Sequence, residues 1–135
     1  MHALSRIHHA LRAAGSLLDV HPQPENVGLE VRQEGRVVFL GQLDGAEDIR
    51  DVRQARTRLG LVERRGWFVT ERQMIFDMLE HYTSVRDWLE RRAREGDTSI
   101  ISEAVLHSAH QLMAHGRGEL VIRNQVRASL LRRLP

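Results

Sequence analysis

The chain has 135 residues, 41% of them hydrophobic, with 20 basic and 18 acidic side chains, a net charge of +2 and no cysteine. That length suits a single domain over residues 1–135, long enough to bury one sizeable core. The composition excludes a disulfide framework, thiol catalysis and cysteine-type metal sites, and no apolar run approaches the ~18 residues of a membrane-spanning helix.

The opening stretch MHALSRIHHALRAAG is broken by Arg or His every few residues. It has no signal-peptide apolar region, so the expected location is the cytoplasm, with no membrane partner. Every one of the 20 basic residues is arginine, and the isoelectric point is near 10.3. Arginine makes bidentate contacts to phosphate and guanine, which points to nucleic acid. A GC-rich bacterial genome produces the same bias through codon usage. The acidic residues are interspersed with the arginines, whereas a nucleic-acid footprint should be a clustered basic patch. Codon usage is the preferred reading.

Taken in order, Leu4, Ile7, Leu11 and Ala14 fall on one stripe and predict an amphipathic helix over 3–14. Gly15 is the expected stop. Leu17, Leu18 and Val20 predict a short strand over 16–20, and two successive apolar residues suggest burial on both faces. Pro22 and Pro24 are expected to exclude regular structure beyond it. Val27, Leu29 and Val31 alternate with polar residues, Glu34-Gly35 signals a turn, and Val37, Phe39 and Leu43 resume the alternation. This predicts a hairpin over 27–32 and 36–43.

Asp44 and Glu47 resemble a capping box, and the helix they open should end near Leu59-Gly60. A strand is expected to start at Leu61-Val62, to be interrupted at Arg64-Arg65-Gly66, and to run from Trp67 through about Met78; the 70–82 stretch also fits a helix. Ser84 and Asp87 cap the next helix, which places Val85, Trp88 and Leu89 inward and closes at Gly96. Ile101, Val105, Ala109 and Leu112 predict a further helix over 100–114. A turn over 115–118 leads to a final strand with Leu120, Ile122, Val126, Ala128 and Leu130 on a buried face. Val121, Arg123, Gln125, Arg127 and Ser129 are expected on a wet one. The predicted class is α/β or α+β, in the order α-β-β-β-α-β-α-α-β, with helices packed on a mixed sheet of about five strands.

The run LSRIHHALRAAGSLLDVHP resembles the middle of class I S-adenosylmethionine-dependent methyltransferases, where a helix ending in a glycine turn feeds the fourth sheet strand. The later helices and the closing strand from Gly118 to Leu130 are similar to that family's second half. The family's Pro-Gly-Gly is Ala13-Ala14-Gly15 here, and the 27–43 hairpin is an insertion. The family's cofactor-binding first half, with its strand, glycine-rich loop and helix, has no counterpart. The resemblance therefore implies no cofactor-binding residue. It places Asp19 and His21 near the substrate-facing end of a strand, where open α/β sheets bind ligands. A half-sheet also implies an exposed edge, and hence a homodimer formed by that edge or by the helix stripe Leu4, Ile7 and Leu11.

Among chemical candidates, Asp19 and His21 could form an acid/base pair in a ligand loop, since a carboxylate can orient an imidazole. His107 and His110, with Glu103 and His115 nearby, have a metal-capable spacing, but no third ligand is fixed, and no metal or cofactor is expected. His8 and His9 point two ways around their helix. Trp67, Phe68, Phe76, Tyr82 and Trp88 are most simply core. Arg64, Arg65 and Arg72 among these aromatics, with Arg132 and Arg133 at the tail, are the candidate nucleic-acid contacts. The preferred reading is a non-catalytic homodimeric module acting through protein partners. The alternatives are an arginine-rich nucleic-acid binder, and a small-molecule binder or enzyme using the Asp19/His21 loop.

Overall fold

The computed structural model describes residues 2–44, 46–114 and 117–135, with side chains for all of these but 2, 24, 26 and 46–48. Eight elements follow in order: α1 His2–Ala10, β1 Ser16–Gln33, β2 Arg36–Gln42, α2 Ala46–Arg64, β3 Phe68–Tyr82, α3 Val85–Glu95, α4 Glu103–Met113 and β4 Gly118–Arg133. The fold is mixed α/β, with the strands in the order β2-β1-β4-β3.

The hairpin forms as the turn signal requires. Glu34 and Gly35 both take positive φ, 49° and 79°. Two such residues make the tight turn whose twist matches flanking antiparallel strands. The β1/β2 register then runs from Gln33↔Arg36 to Gly28↔Gln42. β4 is antiparallel to β1. Arg133 N–H donates to Gly15 O at the end of β4, and Gly118 at its start lies beside Arg32 and Gln33. Leu134 N–H reaches Trp67 O, which sets β4 antiparallel to β3 as well.

Several expectations are corrected. The sheet is antiparallel rather than mixed, because hairpin and return connections turn each strand back beside its neighbour. The strands expected at 16–20 and 27–32 are one strand of 18 residues. Pro22 and Pro24 do not break it: the β2 register begins only at Gly28, so both prolines lie where β1 has no β2 partner, the edge setting proline tolerates. In the 16–20 part, Leu17 is half-buried while Leu18 and Val20 are exposed, so one face is buried, not two. α1 stops at Ala10, and Ala14, not Gly15, takes the left-handed conformation. α2 continues through Gly60, Leu61 and Val62 to Arg64, because Val62 packs into a core from the helix. The 70–82 stretch is strand. β4 buries Leu120, Val121 and Ile122 in succession, and Ser129 too, so the face expected to be wet is covered at Val121 and Ser129. The capping reading at Asp44 and Glu47 rests on the Glu47 side chain, and the turn through His115 and Gly116 likewise, outside the described residues.

The chain divides into two compact units. The first takes Met1–Pro22, Arg50–Phe76 and Val126–Pro135. Its core is Val62, Phe68 and Leu131, against which Leu4, Ile7, Leu11, Leu17, Leu59 and Trp67 pack. Burying a side chain such as Phe68 contributes about 1.5–3 kcal/mol.

The second unit takes Gln23–Ile49 and Asp77–Gln125. Its core gathers Leu29, Val31, Leu43, Val85, Trp88, Ala109, Leu120 and Ile122. Ser84 caps α3 by accepting from Asp87 N–H, and Gly96 closes it. Gly41 admits α4, since a Cβ there would stand 2.8 Å from Val105 Cγ2. Asp44 and Ile100 exchange backbone hydrogen bonds of 3.1 and 2.7 Å and tie the two loops together.

Candidate functional site

Asp19 and His21 project from the same face of β1, two residues apart. His21 Nδ1–H donates to Asp19 Oδ2 at 2.8 Å. The side chains are only 12% and 22% exposed. The sequence offered this pair as a candidate in a loop; it lies within a strand instead, because the chain stays extended past Pro22.

The bond fixes the imidazole. Its Nδ1 proton is committed to Asp19, so Nε2 is left on the far side of the ring as an acceptor, or as a donor once protonated. Nε2 is buried and has no hydrogen-bond partner. His21 lines a cavity of about 130 Å³ in the first unit. α2 contributes Arg56, Leu59, Gly60 and Glu63 to its wall, β3 contributes Thr70 and Gln73, and β4 contributes Arg127, Ser129 and Leu131. Glu63 is held in place, its Oε1 accepting from Thr70 Oγ1–H at 2.6 Å and Thr70 N–H at 3.1 Å. Gln73 Nε2–H donates to the buried Ser129 Oγ at 3.0 Å. Arg127 is half-buried, and among the described residues its guanidinium makes no hydrogen bond or ion pair.

The sequence did not single out Arg56, Gln73, Arg127 and Ser129 together. Arg127 and Ser129 share a strand at spacing two, a signal that was present but reads as an ordinary wet face. Their meeting with α2 depends on the antiparallel placement of β4, which no local pattern encodes.

The other candidates separate. Leu4, Ile7 and Leu11 are half-buried and pack onto the core of their own unit, so the helix stripe is already covered. Arg64, Arg65 and Arg72 are exposed, and Arg65 lies over the Trp67 ring at 5.7 Å. Arg132 pairs with Glu71, and Arg133 donates to Leu11 O. Two of the five candidate contacts are thus committed within the chain. His9 Nδ1–H donates to Ser5 O at 2.7 Å, and His8 lies against Trp67 and Phe68. No group of three metal-capable side chains occurs among the described residues. No helix among them is long and apolar enough to cross a membrane.

Two further surfaces stand out. In the second unit, Tyr82 O–H donates to Glu80 Oε2 at 2.8 Å and Asn124 Nδ2–H to Glu80 Oε1 at 2.7 Å. Burial and the Glu80 bond push the Tyr82 hydroxyl up to about 12. This network is satisfied internally. In the first unit, β3 is an edge strand that exposes Val69, Met74, Ile75 and Phe76. Phe76 was expected in the core; it is 41% exposed, and neither core cluster includes it.

Set against family models, curated proteins and solved structures, the chain matches none.

Proposed function

We propose that this chain is a non-catalytic cytoplasmic module that works as a homodimer, with the β3 edge of one copy paired to the β3 edge of another. The observation that carries the reading is the exposure of Met74, at 55%, and Ile75, at 51%, on a strand at the end of the sheet. A long apolar edge invites strand addition, and soluble proteins ordinarily blunt or cover one. A second copy is the occupant best suited to it. Antiparallel self-pairing is closed, so it covers the β3 edge of both copies at once. It also lays the Arg72 end of one apolar run beside the Asp77 end of the other.

Kinship with half of a methyltransferase plays no part in this reading. Nucleic-acid binding ranks lower, with Arg132 and Arg133 engaged inside the chain.

The test is absolute mass by light scattering on a size-exclusion column at moderate salt. The expected result is twice the 15.5 kDa chain mass, falling to one chain for Ile75→Lys. A wild-type monomer overturns the reading.

A further inference from the structure

We infer that the cavity beside His21 is a binding site for a small oxyanion, the oxygens of a carboxylate or a phosphate, and that binding is linked to uptake of a proton by His21. This stands apart from the dimer reading.

The first argument is the guanidinium of Arg127. A half-buried arginine without a partner is costly, and proteins rarely leave one unmatched. Here it stands on the wall of a cavity of about 130 Å³. Its Nε and the Nε2 of His21 are both buried without hydrogen-bond partners. A bound oxyanion supplies acceptors for such groups, and guanidinium-oxyanion contacts are among the stronger hydrogen bonds.

The second argument is size and polarity. Sites for larger organic ligands span roughly 300–1,000 Å³. This cavity is well below that and suits a group of a few heavy atoms. Thr70, Gln73 and Ser129 add polar atoms to the wall.

The third argument is the charge count. The charged groups facing His21 are Asp19 on its own strand, Arg56 and Glu63 from α2, and Arg127 from β4. Among these named groups two guanidiniums match two carboxylates, so with His21 neutral the four sum to no net charge. An anion brings one negative charge, and a proton on Nε2 restores the balance. It also turns Nε2 from an acceptor, which would repel the anion, into a donor. Asp19 is placed to steady the imidazolium at 2.8 Å.

The experiment titrates the full chain with inorganic phosphate, with formate and with chloride at constant ionic strength. Arginine and histidine side-chain resonances report the binding. The expected result is a saturable shift of the Arg127 Nε and His21 resonances with at least one oxyanion and none with chloride. Phosphate alone identifies a phosphate-bearing ligand; formate alone or both together identifies a carboxylate-sized one. Arg127→Gln should weaken binding roughly tenfold or more, the worth of one charged hydrogen bond. Formate keeps a constant charge near neutrality, so its affinity should rise as pH falls from about 8 to 6. His21→Asn should abolish that slope. An equal response to chloride overturns the inference, as does saturation without movement of the Arg127 signal. Should Arg127→Gln not fold, the wild-type resonances decide alone.

Discussion

Glu30 on β1 and Arg123 on β4 meet in the second unit, with Arg123 Nη2 3.2 Å from both carboxylate oxygens. Arg32 adds Nη2 at 2.6 Å, and Arg123 Nη1 extends to Asp77 Oδ2 at 2.5 Å. One buried carboxylate, 5% exposed, thus serves arginines from two strands. Burial works to raise the Glu30 carboxyl, but hydrogen bonds and charge from Arg32 and Arg123 outweigh it and hold it below its ordinary value. Replacing the carboxylate removes the acceptor from both cations. Glu30→Ala is expected to cost about 1–3 kcal/mol, read from urea unfolding.

The same geometry sets a pH dependence. A carboxyl lowered in the folded state binds protons more readily when unfolded. Its stabilisation is fully present above the ordinary glutamate range near ~4.3 and disappears as pH falls through the lowered folded value. Wild-type stability should therefore decline on acidification below that range. The decline should be shallower in Glu30→Gln, which cannot titrate. Equal slopes for the two proteins would show that Glu30 is not the group responsible.

The hairpin turn yields a prediction of opposite sign at adjacent residues. Gly35 at φ 79° has open space where a Cβ would stand. Gly35→Ala meets no clash, only the left-handed conformation, at about 1–2 kcal/mol. Glu34 occupies the same region at φ 49° without glycine's freedom. Asparagine is favoured there, so Glu34→Asn should raise stability by a few tenths to about 1 kcal/mol. Thermal unfolding of the two variants checks both signs.

Where the sequence was legible and where it was not has a consistent cause. Glu34-Gly35 and the Ser84/Asp87 cap were readable because turns and caps are decided within four residues. The order of helices and strands followed from apolar period. The errors lie where distant chain overrides local preference. Pro22 and Pro24 looked like a loop, but a strand can carry proline when one of its sides is unpaired. Leu61-Val62 looked like a strand start, but Val62 is fully buried from a helix in the core with Phe68 and Leu131. Asp19 and His21 were legible as a pair because spacing two puts them on one strand face. Arg56, Gln73 and Arg127 were not, because three separate elements bring them to the cavity.

Trp88 offers the sharpest test of the second core. It is 2% exposed, packs among Leu43, Val85 and Ile122, and carries the Arg92 guanidinium 5.2 Å from its ring centre. Arg92 is itself held by Asp97 at 3.2 Å. Trp88→Ala removes a large volume and the ring beneath the cation, and should cost about 3–5 kcal/mol. The chain has two tryptophans, so the loss of Trp88 emission identifies the buried signal, and guanidinium unfolding followed by Trp67 gives the change.

Ile7 and Ile75 separate folding from association. Ile7 packs on the core of Val62, Phe68 and Leu131, so a charge there must be buried against apolar side chains. Ile7→Glu is expected to lower stability by several kcal/mol, on the order of an unpaired buried charge, without selectively dissociating a folded dimer. Ile75 is 51% exposed, and a charge there stays in water in the monomer. Ile75→Lys should leave the monomer folded, to within about 0.5 kcal/mol of intrinsic stability, while changing the mass. Comparing circular dichroism with light scattering on the two variants distinguishes these roles. A folded, monomeric Ile7→Glu would return the dimer contact to α1.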